Sequence, residues 1–347
     1  MNDGTRTIYV VGAGGRTGML FCRELQNAAR MIGVAFPAEI ENIKSGKAKI
    51  ARGKNPPEIF TAELVPPEDF GAAIVRNAPD FLWLAARNPV DKITAFYYRH
   101  FANQQNFPAL VLSQNGLSAV ADAKKGLQEA LGQDADKVAI VRVSLINGVD
   151  LNTDGDGTLT IGYKLPIKLG FGTAQTYIGD TDVSFSASLG LGKIFKKAGV
   201  GARQFRGKDV LAMENAKLFL NLIGMAAAAN GAGVAAGYRD KKIFKKEMAA
   251  LREFVSAANA VRGGFAGKLG GYPVKLLARL ALLPVCLLAP WRGVLAGAIA
   301  KGRNRPKDLS EIDYYNGEVV RLGKKANVPT PVNEEIIAKA RALKCKI

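Results

Sequence analysis

The chain has 347 residues, 48% of them hydrophobic, and its 48 lysines and arginines against 30 aspartates and glutamates leave a net charge of +18. That length suits two domains or one large one with ample core, and the positive field attracts anions such as phosphorylated cofactors and carboxylates. No zinc-finger or RNP-type signature accompanies the charge, so a nucleic-acid partner is not expected. Cys22, Cys286 and Cys345 lie far apart without metal-ligand spacing. This sparse, odd set argues against a disulfide framework, and with His100 the single histidine, Ser-His-Asp, Cys-His and most zinc chemistries drop out, so no metal site is expected. Acid–base work falls to Lys, Glu, Asp, Tyr or Cys.

The first residues lead straight into a strand without a signal-peptide pattern, which with the sparse cysteines points to a cytoplasmic setting. Ile8–Val11 reads as that strand, followed at once by Gly12-Ala-Gly-Gly-Arg-Thr-Gly18 and by Met19, Leu20, Cys22 and Leu25 at helical spacing. In this order a glycine turn binds dinucleotides: the backbone comes close to the pyrophosphate and the helix start presents its N–H groups. The spacing is not the standard Gly-x-Gly-x-x-Gly, because Thr17 stands where the last glycine would. Gly12, Gly14, Gly15, Arg16, Thr17 and Gly18 are the expected cofactor contacts; the alternative is a non-binding turn.

The next strand, 31–36, runs into Phe36-Pro37 with neither an acid for the adenosine ribose nor an arginine for a 2′-phosphate. Lys44, Lys47, Lys49 and Arg52 follow and could serve a phosphate from a loop. The segment 81–86 is a buried-type strand ending at Arg87, and 109–112 is another, running into Ser113-Gln114-Asn115-Gly116. Asn-Gly alone is a turn signal, but at the end of an apolar strand it stands where doubly wound folds bind ligands. A strand at 138–143 continues the parallel pattern. Stretches 159–163 and 176–179 read as edge strands closing the domain, 203–206 as its last strand and 207–209 as the hinge. The boundaries are therefore 1–207 for a Rossmann-like, doubly wound α/β domain and 208–347 for an all-helical domain, with the site in the cleft between.

Asp209 is expected to cap a nearly all-apolar helix from 210 to 230, interrupted on one face by Lys217 and Asn221. A surface pair of Lys217 with Glu214 is the plain reading. The functional one is a partly buried lysine, since burial lowers an ammonium pKa and makes it a better proton donor to a carbonyl. A basic amphipathic helix follows at 241–261. After it, 280–291 is an apolar run of twelve residues with two prolines, too short and broken to span a bilayer. Core packing or a dimer interface is one reading. The other is a peripheral membrane contact through 273–307, with Arg292, Lys301, Arg303, Arg305 and Lys307 as basic flanks.

The last fifth reads as two capped helices. Ser310 is placed to cap with Asp313; Ile312, Tyr315, Val319 and Leu322 share a face; Gly323, Lys324 and Lys325 end the first helix; Thr330 and Pro331 open the second. Segment 310–333 resembles the C-terminal signature of the ketopantoate reductases (2-dehydropantoate 2-reductases), and Lys217-Leu-Phe-Leu-Asn221 and Gln114-Asn115-Gly116 resemble two further motifs of that family.

The resemblance implies a 6-phosphogluconate-dehydrogenase-like pair of domains, a homodimer, and reduction of a small 2-oxo acid to the 2-hydroxy acid, ketopantoate to pantoate first. NADPH is the implied cofactor, with NAD left open. It implies Lys217 as general acid; Asn115, Asn221 and Glu311 as substrate contacts; and Asn115 beside the nicotinamide with Arg87 in place of a cofactor-binding lysine. Met225 replaces a further asparagine of the family, and 296–306 lacks its serine. These departures leave room for a different, more apolar oxo substrate, or for a membrane-associated cofactor-binding protein with little catalysis.

Overall fold

A computed structural model of the chain describes residues 5–173, 182–261, 263–300 and 307–344. They form two compact units, Met1–Gln114 with Ala119–Val210, and Asn115–Ser118 with Leu211–Ile347.

The strands are β1 (Thr7–Val11), β2 (Arg30–Val34), β3 (Ala48–Arg52), β4 (Glu58–Ile59), β5 (Glu63–Val65), β6 (Phe81–Leu84), β7 (Ala109–Leu112), β8 (Ile140–Leu145), β9 (Val149–Thr153), β10 (Leu159–Tyr163), β11 (Lys168–Thr173) and β12 (Gly201–Gln204). The main sheet of the first unit has the order β12-β11-β8-β7-β6-β1-β2-β5. All its pairs are parallel except β8 with β11. Side chains alternate between two cores: Ile8 and Val10 pack with Trp83, Val111 and Val141 on one face, Tyr9 and Val11 with Leu82, Leu84, Leu110 and Leu112 on the other. Burial on both faces explains why these strands are uninterrupted apolar runs. The chain leaves β1 for β2 on one side and reaches β6 on the other. The carboxyl ends of β1 and β6 thus flank the topological switch point where such sheets bind ligands.

A second sheet corrects two expectations. β10 does not close the main sheet; it lies between β3, parallel to it, and β9, antiparallel. The cause is β3, expected from the sequence as a basic loop, in which Ala48 and Ile50 are buried, Lys49 lies on the opposite face and Arg52 is half-buried. Arg52 is committed there: its Nε donates to Glu24 Oε1 at 2.7 Å, an oxygen that also accepts from the Tyr163 hydroxyl at 2.7 Å. The expected strand 176–179 lies outside the described residues. The strand expected at 203–206 is set back to Gly201–Gln204.

The second unit is helical. Its spine is Lys241–Ala260, which buries Phe244, Met248, Leu251, Phe254 and Val255 along one stripe. The helix expected from 210 to 230 is instead Lys208–Leu222 followed, after a break, by Met225–Ala228. Gly224 makes the break with φ +91, and a Cβ there would meet Val234 Cγ2 at 2.6 Å. Together these helices are the one described stretch long and apolar enough to cross a membrane, and most of it is buried as core. The helix expected from Ser310 starts later: a 3-10 turn, Ile312–Tyr314, precedes the helix Asn316–Ala326. Gly323 lies inside that helix, pressed so close that a Cβ would stand 2.6 Å from Thr330 Cγ2. Asn327 ends it in the left-handed conformation. The apolar run 280–291 is not core: Leu280, Leu282, Leu283, Leu287 and Trp291 are all exposed.

Candidate active site

In the first unit, the β1–helix turn is shaped for a ligand that must approach backbone. Gly12 adopts φ +84 and donates with Ala13 to Val34 O, both at 3.0 Å, tying the turn to the end of β2. The helix Arg16–Leu25 begins directly after Gly15. A Cβ on Gly18 would stand 2.1 Å from Gly12 O, so no other residue fits. One on Gly12 would stand 3.1 Å from Ala86 N, which puts exposed Arg87 at the rim of the turn. Glycines, a helix start and the switch point coincide, and this turn fits a dinucleotide pyrophosphate despite its irregular spacing.

Glu39 is a residue that the sequence reading passed over. It follows Gly18 by 21 positions, a typical separation for an acid that takes the adenosine ribose. Its side chain lies over the turn, with Cδ 2.5 Å from where a Gly14 Cβ would be. Its Oε2 accepts from Phe36 N at 2.9 Å. Such an acid is expected at the strand end itself; Pro37 starts a short helix there and moves the carboxylate one turn on.

Gln114 proves structural. It is buried, and its side-chain amide donates to Leu84 O at 2.8 Å and Ala86 O at 3.0 Å, while its main-chain carbonyl accepts from the buried Arg142 at 3.0 Å. These bonds fix the carboxyl ends of β6 and β7.

In the second unit, three of the expected site residues meet in one hydrogen-bonded chain. Asn221 Nδ2 donates to Asn115 Oδ1 at 3.0 Å, and Asn115 Nδ2 donates to Glu311 Oε2 at 3.0 Å and to the Tyr315 hydroxyl at 2.9 Å. That hydroxyl donates in turn to Glu311 Oε2 at 2.9 Å. Lys217 is half-buried one turn before Asn221, on the same helical face. Tyr315 is the member the sequence did not reveal: it was read as an apolar helix position, whereas its ring lines the helix and its hydroxyl closes the cluster.

The cluster stands on a supported helix end. Lys307 Nζ donates to Asn221 O at 3.0 Å and Leu220 O at 3.4 Å, rather than only flanking the apolar run. Across the break, buried Glu247 accepts from Gly224 N and, at 3.0 Å, from Ala226 N. An acid and a base thus satisfy both sides of the interruption that holds Asn221 at a helix terminus. Met225, the departure noted above, is buried in the apolar cluster with Ala226, Ile312 and Ile336. The Asn115 loop is seated by Glu318, whose Oε1 accepts from Ser118 N at 2.9 Å. Among the described residues no group of His, Cys, Asp and Glu could hold a metal ion.

Residues 305–344 match the family described as ketopantoate reductase PanE/ApbA C terminal. The match covers this C-terminal segment alone. This match spans the Glu311–Tyr315 half of the polar cluster. The fold of the whole chain is also that of solved ketopantoate reductases. The PanE/ApbA family ketopantoate reductase from Ralstonia eutropha JMP134 is 19% identical with a TM-score of 0.65, covering 98% of this chain and 99% of that one. The 2-dehydropantoate 2-reductase from Methylococcus capsulatus is 16% identical with a TM-score of 0.66, covering 98% and 97%. A D-mandelate dehydrogenase with NADH and anilino(oxo)acetate is 15% identical with a TM-score of 0.68, covering 97% of each chain. Comparison with curated proteins finds no match.

Proposed function

We propose that the protein is a nicotinamide-dependent reductase of a 2-oxo acid, with ketopantoate the first substrate to test. The observation that carries this reading is the Asn221–Asn115–Glu311–Tyr315 chain beside Lys217, built on the family's C-terminal segment. When bound, the cofactor supplies the hydride.

The rest falls to the protein's own groups. Lys217 holds the proton given to the carbonyl oxygen as charge develops on it. Asn115 has both amide hydrogens engaged by Glu311 and Tyr315, so its part is to fix the carboxylate and, through Asn221, the face that carries Lys217. Glu311 is the acceptor for a hydroxyl on the substrate. The chain's +18 charge draws the carboxylate of a 2-oxo acid inward.

Two cofactor readings follow from different residues. The family resemblance and the basic balance favour NADPH, with Arg16, Arg87 and Lys44 the cations available to a phosphate. Glu39 favours NADH: a carboxylate over the glycine turn accepts from ribose hydroxyls and repels a 2′-phosphate. The mandelate dehydrogenase of the same fold, solved with NADH, supports a panel that includes an aryl 2-oxo acid. Oxidation of NADH and NADPH with ketopantoate, 2-oxobutyrate and phenylglyoxylate tests the proposal. Turnover with any one supports the reductase reading and ranks the substrates; none, with both cofactors bound, removes it.

A further inference from the structure

The three helices Val274–Ala281, Val285–Leu288 and Arg292–Ala300 leave Leu276, Leu280, Leu287 and Val294 exposed. In Val274–Ala281 the buried positions are Val274, Ala278 and Ala281, while Leu276 and Leu280 face solvent beside Lys275 and Arg279. This inverts the usual order, in which the larger side chain gains more by burial. The exposure continues at Leu287 (59%), Trp291 (62%) and Val294 (66%). Exposed apolar side chains on three helices consecutive in sequence, with exposed Tyr272 before them and Trp291 between the last two, mark a place where something docks.

Charge identifies the occupant. Between Glu253 and Asp308 the sequence contains no acidic residue and nine lysines and arginines. Four of these, Lys268, Lys275, Arg279 and Arg292, belong to the described part of the apolar region, and Arg292 also secures it by donating to Ala289 O at 2.9 Å. A second copy docked face to face would set this cationic patch against itself. An anionic lipid surface offers apolar depth for the leucines, an interface for Tyr272 and Trp291, and negative charge for the rim. The helices are too short to span a bilayer and are suited to lie in its surface.

We propose that this face docks peripherally on an anionic phospholipid bilayer. The proposal stands independently of the reductase reading, since it uses none of the residues of that site.

The test is co-sedimentation of the full chain with phosphatidylcholine vesicles, with and without phosphatidylglycerol. The expected result is partitioning roughly a hundredfold stronger onto the anionic vesicles, weakened by salt. Brominated lipids should quench the exposed Trp291, while Trp83 stays dark to them in its buried site. Leu276→Ser with Leu287→Ser should abolish binding, and Lys275→Glu with Arg279→Glu should remove the preference for anionic lipid. Both variants should keep the wild-type melting temperature. Absence of binding to anionic vesicles would overturn the proposal, as would binding that both variants retain. A dimer that the leucine variant dissociates, without vesicle binding, would assign the face to a second copy instead.

Discussion

Asn115 and Glu311, 196 positions apart, are joined by a hydrogen bond of 3.0 Å from amide to carboxylate. This bond makes a loop that follows a strand of the sheet and a turn near the C-terminus parts of one polar device. The Tyr315 hydroxyl stands between them, accepting from Asn115 and donating to the same Glu311 oxygen.

Removing that hydroxyl should loosen the carboxylate without disturbing the core. Tyr315→Phe is expected to raise KM for the 2-oxo acid about fivefold to tenfold, the equivalent of about 1 kcal/mol of hydrogen bonding. Its cofactor Kd should remain at the wild-type value. Steady-state kinetics beside a fluorescence titration of the cofactor separates the two quantities.

Glu39 should set the choice of cofactor. Glu39→Ala is expected to improve NADPH binding relative to NADH by about tenfold, because a like-charge contact with the 2′-phosphate disappears. An unchanged ratio in paired titrations would show that the carboxylate only caps Phe36.

Glu247 gives a pH signature. Burial pushes its carboxyl up from 4.5 to about 7, against the opposing pull of the Gly224 and Ala226 N–H groups. Because the folded state holds this proton more tightly, unfolding releases it. The contribution to stability is complete below about pH 4.5 and is lost as the pH rises to about 7. Urea midpoints should therefore fall across that window for this group's part. Glu247→Ala should flatten the fall and lower stability by about 2–4 kcal/mol, since two buried N–H groups lose their acceptor.

Thiol reactivity should separate the two units. Burial pushes the Cys22 thiol up to about 12, whereas Cys286 is exposed. In a Cys345→Ser background, a disulfide reagent at neutral pH should modify Cys286 at once and Cys22 only on unfolding. Fast reaction of both would mean that the helix after the glycine turn opens readily.

The sheet was legible because strands buried on both faces carry unbroken apolar runs, as at Ile8–Val11, Phe81–Leu84 and Ala109–Leu112. β3 was not, because only Ala48 and Ile50 are buried in a stretch that also carries Lys47, Lys49 and Arg52, and its partner β10 lies more than a hundred positions away. Lys217, Asn221, Asn115 and Glu311 stood out through motifs, and three of them meet. Tyr315 and Glu39 stayed hidden for a physical reason: an aromatic ring satisfies a helix's apolar pattern whatever its hydroxyl does, and a proline displaced the acid by a turn. The break at Gly224 was masked by the alanines and methionine around it, which continue the helical pattern while Glu247 and Lys307 hold the ends apart.

The central claim is that Lys217 donates the proton in reduction of a 2-oxo acid, and single-variant kinetics test it most directly. Oxidation of the preferred reduced nicotinamide with ketopantoate should fall about a hundredfold to ten-thousandfold in Lys217→Ala. Cofactor affinity and melting temperature should hold at wild-type values. Turnover close to wild type in that variant would contradict the account.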